Sequence, residues 1–311
     1  MPSVSSAQRF KKFVHLVYNA RFLYLLILPA LIFYIVFNYY PMYGLTLAFK
    51  QFRADLGIMN SPWIGFDKFE LLFRDSLFFR ALGNTIVISI QRILFQFPVP
   101  IILALLMNEV KSGKLRRTMQ TVFTFPNFVS WVIISGIVVN FLSSEGALNG
   151  LLKAVGLPET SFLTSTSAFR PILYISQNWK GAGWFSIIYL SAITGIEQEQ
   201  YESAMIDGAS RMQKILHITL PGISSTIMVT FILAAGGIMN AGFDQVFNMY
   251  NPAVYEVADI FDTYIYRITF NSATDFSFSA AVSLFKSVAN FAMLIICDRV
   301  VKMTGRRGLF Y

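Results

Sequence analysis

The chain has 311 residues, 55% of them hydrophobic and only 14% charged, and a mean hydropathy of +0.56. A soluble core cannot hide that much apolar surface, so a water-soluble protein is excluded and the solvent is a lipid bilayer. The formal net charge of +8 does not call for a nucleic-acid partner, because the basic residues fall where membrane topology puts them.

A basic leader with Arg9, Lys11, Lys12 and Arg21 precedes the first apolar run, Phe22 to Tyr40. That run is longer than a signal-peptide core and ends in FNYYPMYG, not in a small-residue cleavage site, so it reads as an uncleaved first helix. Next, WIGFDKFELLF sets Phe66, Phe69 and Phe73 at helical spacing. This predicts an interfacial amphipathic helix; the alternative is a loop that packs its aromatics onto the chain's own helices. Five more apolar runs follow at about 81–107, 118–142, 172–196, 222–243 and 278–301, each near the roughly 20 residues that cross a hydrocarbon core. Pro98 and Pro100 inside the second run predict a kink. The fold class is therefore an all-α integral membrane protein with six transmembrane helices: a segment 1–21, then one membrane domain over 22–311.

Topology follows from Lys and Arg placement. Besides the leader, one face receives Lys111, Lys114, Arg116 and Arg117, then Arg211 and Lys214, then Arg299, Lys302, Arg306 and Arg307. The alternate connections, about 50–80 and 244–277 among them, are longer and hold fewer cations. Both termini are predicted to be cytoplasmic. The single cysteine, Cys297, excludes an internal disulfide. His15 and His217 lie outside the apolar runs, so no metal or haem site is predicted.

Between the fourth and fifth runs lies a polar island, YESAMIDGASRMQKILHITLP, Tyr201 to Pro221. Its spacing, Glu202-Ser203-Ala204, three residues, Gly208, nine residues, Ile218, one residue, Leu220-Pro221, resembles the EAA loop of ABC-importer permeases. Only Ser203 departs, where that family usually carries alanine. The stretches LILPALIFYIVFNYYPMYG, TFPNFVSWVIISGIVVNFLSSEGALNGLL and NWKGAGWFSIIYLSAI, with the tail GRRGLFY, extend the resemblance over about Phe22 to Tyr311. They place it in the carbohydrate-type, maltose-permease-like branch, nearest the LplB-like permeases for complex oligosaccharides.

The resemblance implies a type I ABC importer permease fold with a cytoplasmic coupling helix at about 197–221. Glu202, Ala204, Asp207, Gly208 and Pro221 would form the coupling surface to an ATP-binding subunit. Gly208 would allow close approach of two backbones, and Pro221 would open the next span where its missing N–H costs nothing. The chain lacks a P-loop; its only Gly-Lys pair, Gly113-Lys114, is followed by Leu115. It is therefore not an enzyme and binds no cofactor itself, ATP and Mg being used by a separate ATP-binding subunit dimer. The other implied partners are a second homologous permease, an extracytoplasmic solute-binding protein and the oligosaccharide, with alternating access as the working cycle. Gly181 with Gly183, and Gly236 with Gly237, are assigned to close helix contact at the permease–permease interface.

Three cations, Arg92, Lys180 and Lys286, fall within the runs, roughly 12 to 17 Å below the outer surface at about 1.5 Å per residue. No carboxylate lies deep in a run, and charges at membrane depth usually face a pathway or a partner. Gln96 lies one turn from Arg92, Gln177 and Trp184 from Lys180, and Asn290 from Lys286. With Trp131, Asn140, Asn178, Trp179 and Asn240 these form a candidate sugar path, aromatic faces stacking on rings while amides and cations bond hydroxyls or carboxylates. An excess of cations favours an acidic, uronate-containing saccharide; a neutral one is the family default. Snorkelling lysines and belt tryptophans are the competing reading. An ion-coupled secondary transporter would show an intramembrane acid and an internal repeat, and neither is present. An importer permease for a non-sugar solute remains the other alternative.

Overall fold

The computed structural model describes His15 and residues 19–270 and 275–303. Arg9, Lys11, Lys12 and the tail motif GRRGLFY lie outside the described residues. The described residues form helices and connections without a β-strand; one isolated antiparallel bridge pairs Lys50 with Trp63. The longer helices are numbered here in chain order.

Helix α1 (Arg21–Tyr34) continues through a π turn, Ile35–Tyr39, and a 3-10 stretch, Tyr40–Phe49, to give an apolar span of 29 residues whose side chains are not buried until Ala48 near its end. Helices α2 (Ser76–Gln96) and α3 (Pro98–Glu109) make one span of 34 residues. The Asp75 side chain caps α2 by accepting from the Leu77 N–H at 2.8 Å. Pro98 and Pro100 sit in the first turn of α3, where a missing N–H removes little, so the break falls at Phe97.

The predicted continuous span over 118–142 is not formed. Helix α4 (Gly113–Thr124) ends in a 3-10 turn, Phe125–Phe128, and the chain restarts as α5 (Trp131–Leu142) with Ser130 as its cap. Pro126 supplies no N–H to continue the ladder. Helix α6 (Thr166–Thr194) spans 29 residues. After the short α7 (Gln198–Ile206), residues 211–222 lead into α8 (Ser224–Gly236) across a bend of 61°. Pro221 thus lies just before the bend, and the span does not open on it. Helices α9 (Phe261–Phe270) and α10 (Phe276–Met303) complete the described chain. Four helices among the described residues are long and apolar enough to cross a membrane, five if the bent pair is one span. Helix α6 is long enough, but its composition, with Arg170, Gln177, Asn178 and Lys180 among its residues, is less apolar than theirs.

One glycine of each pair, Gly183 and Gly236, serves helix packing within this chain, where a subunit interface was expected. A Cβ on Gly183 would collide with the Phe123 carbonyl of α4, and one on Gly236 would meet Leu294 Cδ1 of α10 at 2.7 Å. Phe66 and Phe73 flank, and Phe69 lies within, a helix of only six residues, Asp67–Leu72. Phe69 packs on Phe49 at 5.4 Å and Phe73 on Phe285 at 5.9 Å. The segment therefore follows the alternative reading, a connection seated on its own helices, with Phe66 left exposed.

Buried side chains gather in three clusters. Ile88, Phe169, Leu173 and Val246 join α2 and α6 to the connection between α8 and α9; Phe78, Phe261, Tyr264 and Val282 join α2, α9 and α10. Ile101, Tyr189, Ile193 and Ile223 join α3, α6 and the start of α8. The last cluster fixes the polar island relative to the spans.

Candidate functional site

A cavity of about 510 Å³ opens between α2–α3, α6 and α8. It collects five of the predicted path residues, Arg92, Gln96, Gln177, Asn178 and Asn240, and adds Ser89 and Thr230. Ser89, Arg92 and Gln96 stand at i, i+3 and i+7 on α2, which is one helix face. Ser89 Oγ, Arg92 Nε and Gln96 Nε2 are buried and make no hydrogen bond within the chain. Each such buried group costs about 1–3 kcal/mol when unpaired, and all three belong to residues that line this one cavity. At the end nearer the polar island, Tyr189 OH and Thr230 Oγ1 bond to each other at 2.9 Å. A second hollow, about 600 Å³, adjoins at Asn178 and is lined by Gln91, Phe95, Arg170 and Tyr174.

The remaining path candidates have other partners. Lys180 Nζ donates to the carbonyls of Asn127 at 2.8 Å, Val129 at 2.6 Å and Pro126 at 3.4 Å, and lies 5.6 Å from the Trp131 ring centroid. It satisfies the acceptors freed where α4 breaks, which is why Lys180 and Trp131 sit away from the cavity. Trp184 packs edge-on to Phe128 at 5.8 Å. Asn140 donates to the Gly136 carbonyl at 2.9 Å, and Asn290 accepts from the Met239 N–H at 3.0 Å. Lys286 pairs with Asp262 at 2.6 Å, so it is not an uncompensated cation as the sequence implied.

Two residues near the cavity escaped sequence reasoning. The Gln245 amide accepts from Arg92 Nη2, and Gly242, with φ of 83°, lies so close to the guanidinium that a Cβ would overlap it. Neither falls in the spacing of a span, so no periodic signal pointed to them; Ser89, one turn before Arg92, was legible and missed. In the connection outside the spans, the Asp259 hydrogen bond at 2.9 Å raises the Arg267 pKa above its ordinary value. Burial, reinforced by Tyr255, pushes Tyr250 up to about 12.

The predicted coupling residues lie on and after α7. Glu202, Asp207 and Gly208 are exposed and Ala204 is half-buried. Gly208 adopts φ of 75°. Its N–H bonds the Met205 carbonyl at 3.1 Å, and the Ala209 N–H bonds the Ala204 carbonyl at 2.9 Å, the paired closure of a Schellman motif. No atom lies within 4 Å of a Cβ at Gly208, so within the chain the glycine serves left-handed backbone, not close approach. Ser210 and Gln213 then form a capping box for the following turn. Tyr201 OH meets Thr219 Oγ1 at 2.9 Å and ties α7 to the next span. Met205 and Ile206 are 53% and 86% exposed, an apolar tip on an otherwise polar helix.

An all-helical bundle of spans with a short exposed helix between the fourth and fifth is the architecture of an importer permease. The chain belongs to the family of binding-protein-dependent transport system inner membrane components, which it matches over residues 96–304. It is the membrane component of an ABC transporter and not its ATPase. It is 42% identical to Protein LplB of Bacillus subtilis (strain 168) over 93% of this chain and 91% of that protein. It is 39% identical to the polygalacturonan/rhamnogalacturonan transport system permease protein YteP of the same organism, over 93% of this chain and 90% of that one. A chain of the bacterial alginate ABC transporter, crystallised with a periplasmic protein bound to alginate pentasaccharide, matches with a TM-score of 0.86 and 39% identity. That match covers 94% of this chain and 98% of the other.

Proposed function

We propose that this chain is one of two permease subunits of an ATP-driven, binding-protein-dependent importer of oligosaccharides, acidic ones among them, and that the cavity between α2–α3, α6 and α8 is its share of the solute path. The observation that carries the reading is the convergence of buried, unpaired Ser89 Oγ, Arg92 Nε and Gln96 Nε2 on one cavity. Saccharides offer the hydroxyls and carboxylates such groups need. The polygalacturonan and alginate systems among its relatives support an acidic cargo.

The exposed α7, with Glu202, Ala204, Asp207, Gly208 and the apolar tip Met205–Ile206, is the surface offered to an ATP-binding subunit dimer that hydrolyses ATP with Mg. Pro221 lies at the bend that would pass its movement to α8. The long connections on the opposite face would meet the solute-binding protein. The membrane is the bacterial cytoplasmic membrane, with 22–311 as the membrane domain and both termini in the cytoplasm. The test is purification of the tagged chain from gently solubilised membranes, followed by reconstitution with whatever accompanies it. The proposal expects a second permease and a P-loop ATPase whose hydrolysis rises with saccharide-loaded binding protein. A chain recovered alone, or one inert toward every saccharide, would overturn it.

A further inference from the structure

The buried cations of this chain differ in how their charge is met. Lys68 pairs with Asp275 at 2.7 Å, Lys286 with Asp262 and Arg267 with Asp259. Lys50 and Lys180 turn to backbone carbonyls, and Arg170 to Asn84 Oδ1 and the Val257 carbonyl. Arg92 alone of these lines the cavity of about 510 Å³, and no carboxylate is among the lining residues. Its partner is a neutral amide, Gln245, and its Nε is buried without a bond.

The amide is held in one orientation. Gln245 is fully buried, and its Nε2 donates to the Leu173 carbonyl at 2.8 Å and to Ser176 Oγ at 2.8 Å. A carbonyl only accepts, so the donor end of the amide must face Leu173 and the Oε1 end must face Arg92. Gly242 presents bare backbone against the other side of the guanidinium. The guanidinium is thus fixed in place on two sides while its charge stays uncancelled, and Gln96 Nε2 lies one turn along the same face as a second free donor.

We propose that Arg92 and Gln96 form a carboxylate-binding subsite for the sugar acid of the cargo, and that Gln245 is a positioning residue whose neutrality leaves the counter-ion to be supplied by the substrate. The inference rests on the reading of the cavity as the solute path. A glutamate at 245 would form an internal ion pair and compete with the substrate carboxylate for the same cation. A neutral sugar leaves the buried charge unmet, which is how a site rejects an analogue lacking the matching group.

The experiment uses the whole reconstituted importer with a galacturonate or an alginate trisaccharide and, as the neutral match, the methyl ester of the same trisaccharide. The wild-type complex should take up the acid at least tenfold faster than the ester. Gln245→Glu should lower the acid-to-ester ratio at least tenfold. Arg92→Gln, which keeps a donor in the same space, should do the same in complexes shown by copurification to be assembled, so a folding defect in the first variant does not decide the matter. Equal uptake of acid and ester by the wild type, or an unchanged ratio in assembled Arg92→Gln complexes, would overturn the subsite while leaving the importer standing. A wild-type complex that moves no saccharide would overturn both.

Discussion

Gly208 separates two physical accounts of the coupling loop. Its φ of 75° closes the C-terminus of α7, and a Cβ there would touch nothing within the chain. A substitution therefore acts through the backbone. Alanine in the left-handed region costs about 1–2 kcal/mol, enough to lower the population of the closed motif roughly 5- to 30-fold. Asparagine, bulkier but enriched in that region, should cost less. The assay is the ratio of ATP hydrolysed to saccharide imported by the reconstituted complex, with copurification reporting assembly. Gly208→Ala should uncouple hydrolysis from uptake more than Gly208→Asn. The reverse order, alanine tolerated and asparagine not, would refute the backbone argument and show that a partner subunit occupies the space where the side chain would lie.

Lys180→Met should leave the Asn127 and Val129 carbonyls without their donor at the α4–α5 break, the Pro126 carbonyl keeping the Val129 N–H, costing about 1–3 kcal/mol for each acceptor left unmet; a lowered unfolding temperature of the solubilised chain checks it, and an unchanged one contradicts the capping role. Lys286→Met leaves the half-buried Asp262 without its cation and should destabilise the chain by less than the about 3–5 kcal/mol of a fully buried pair, while adding Asp262→Asn should recover most of the loss in the same unfolding measurement. Gly183→Ala forces the Phe123 carbonyl of α4 away from α6, so expression of folded chain, read by size-exclusion profile, should fall sharply; a normal profile would show that α4 packs elsewhere.

The all-helical membrane fold, the order of its apolar runs and a short helix within the EAA stretch were legible because apolar run length and the EAA spacing are local signals. The break in the third span was not: Pro126 stands in an unbroken apolar run, and what tolerates its lost hydrogen bond is Lys180, more than fifty positions away in the chain. The candidate path was half legible. Helical spacing brought Arg92 and Gln96 together on one face, and with them Gln177 and Asn178 on α6. Lys286 misled, since Asp262, which neutralises it, lies outside every apolar run and composition of the spans alone could not pair them. Gln245 and Gly242 were out of reach because their relation to Arg92 exists only after the chain has turned back on α2. The left-handed backbone of Gly208 was not legible, because a sequence displays the residue type and not the sign of φ.

The central claim, that saccharide passes through the cavity, is tested most directly by thiol protection. Cys297 is the chain's only cysteine, so in a Cys297→Ser background a single Asn240→Cys places one thiol on the exposed wall of the cavity. In reconstituted complexes a charged thiol reagent should label it, and transported oligosaccharide delivered by the binding protein should slow that labelling at least fivefold. A thiol that never reacts, or one that reacts at the same rate with and without saccharide, would contradict the account.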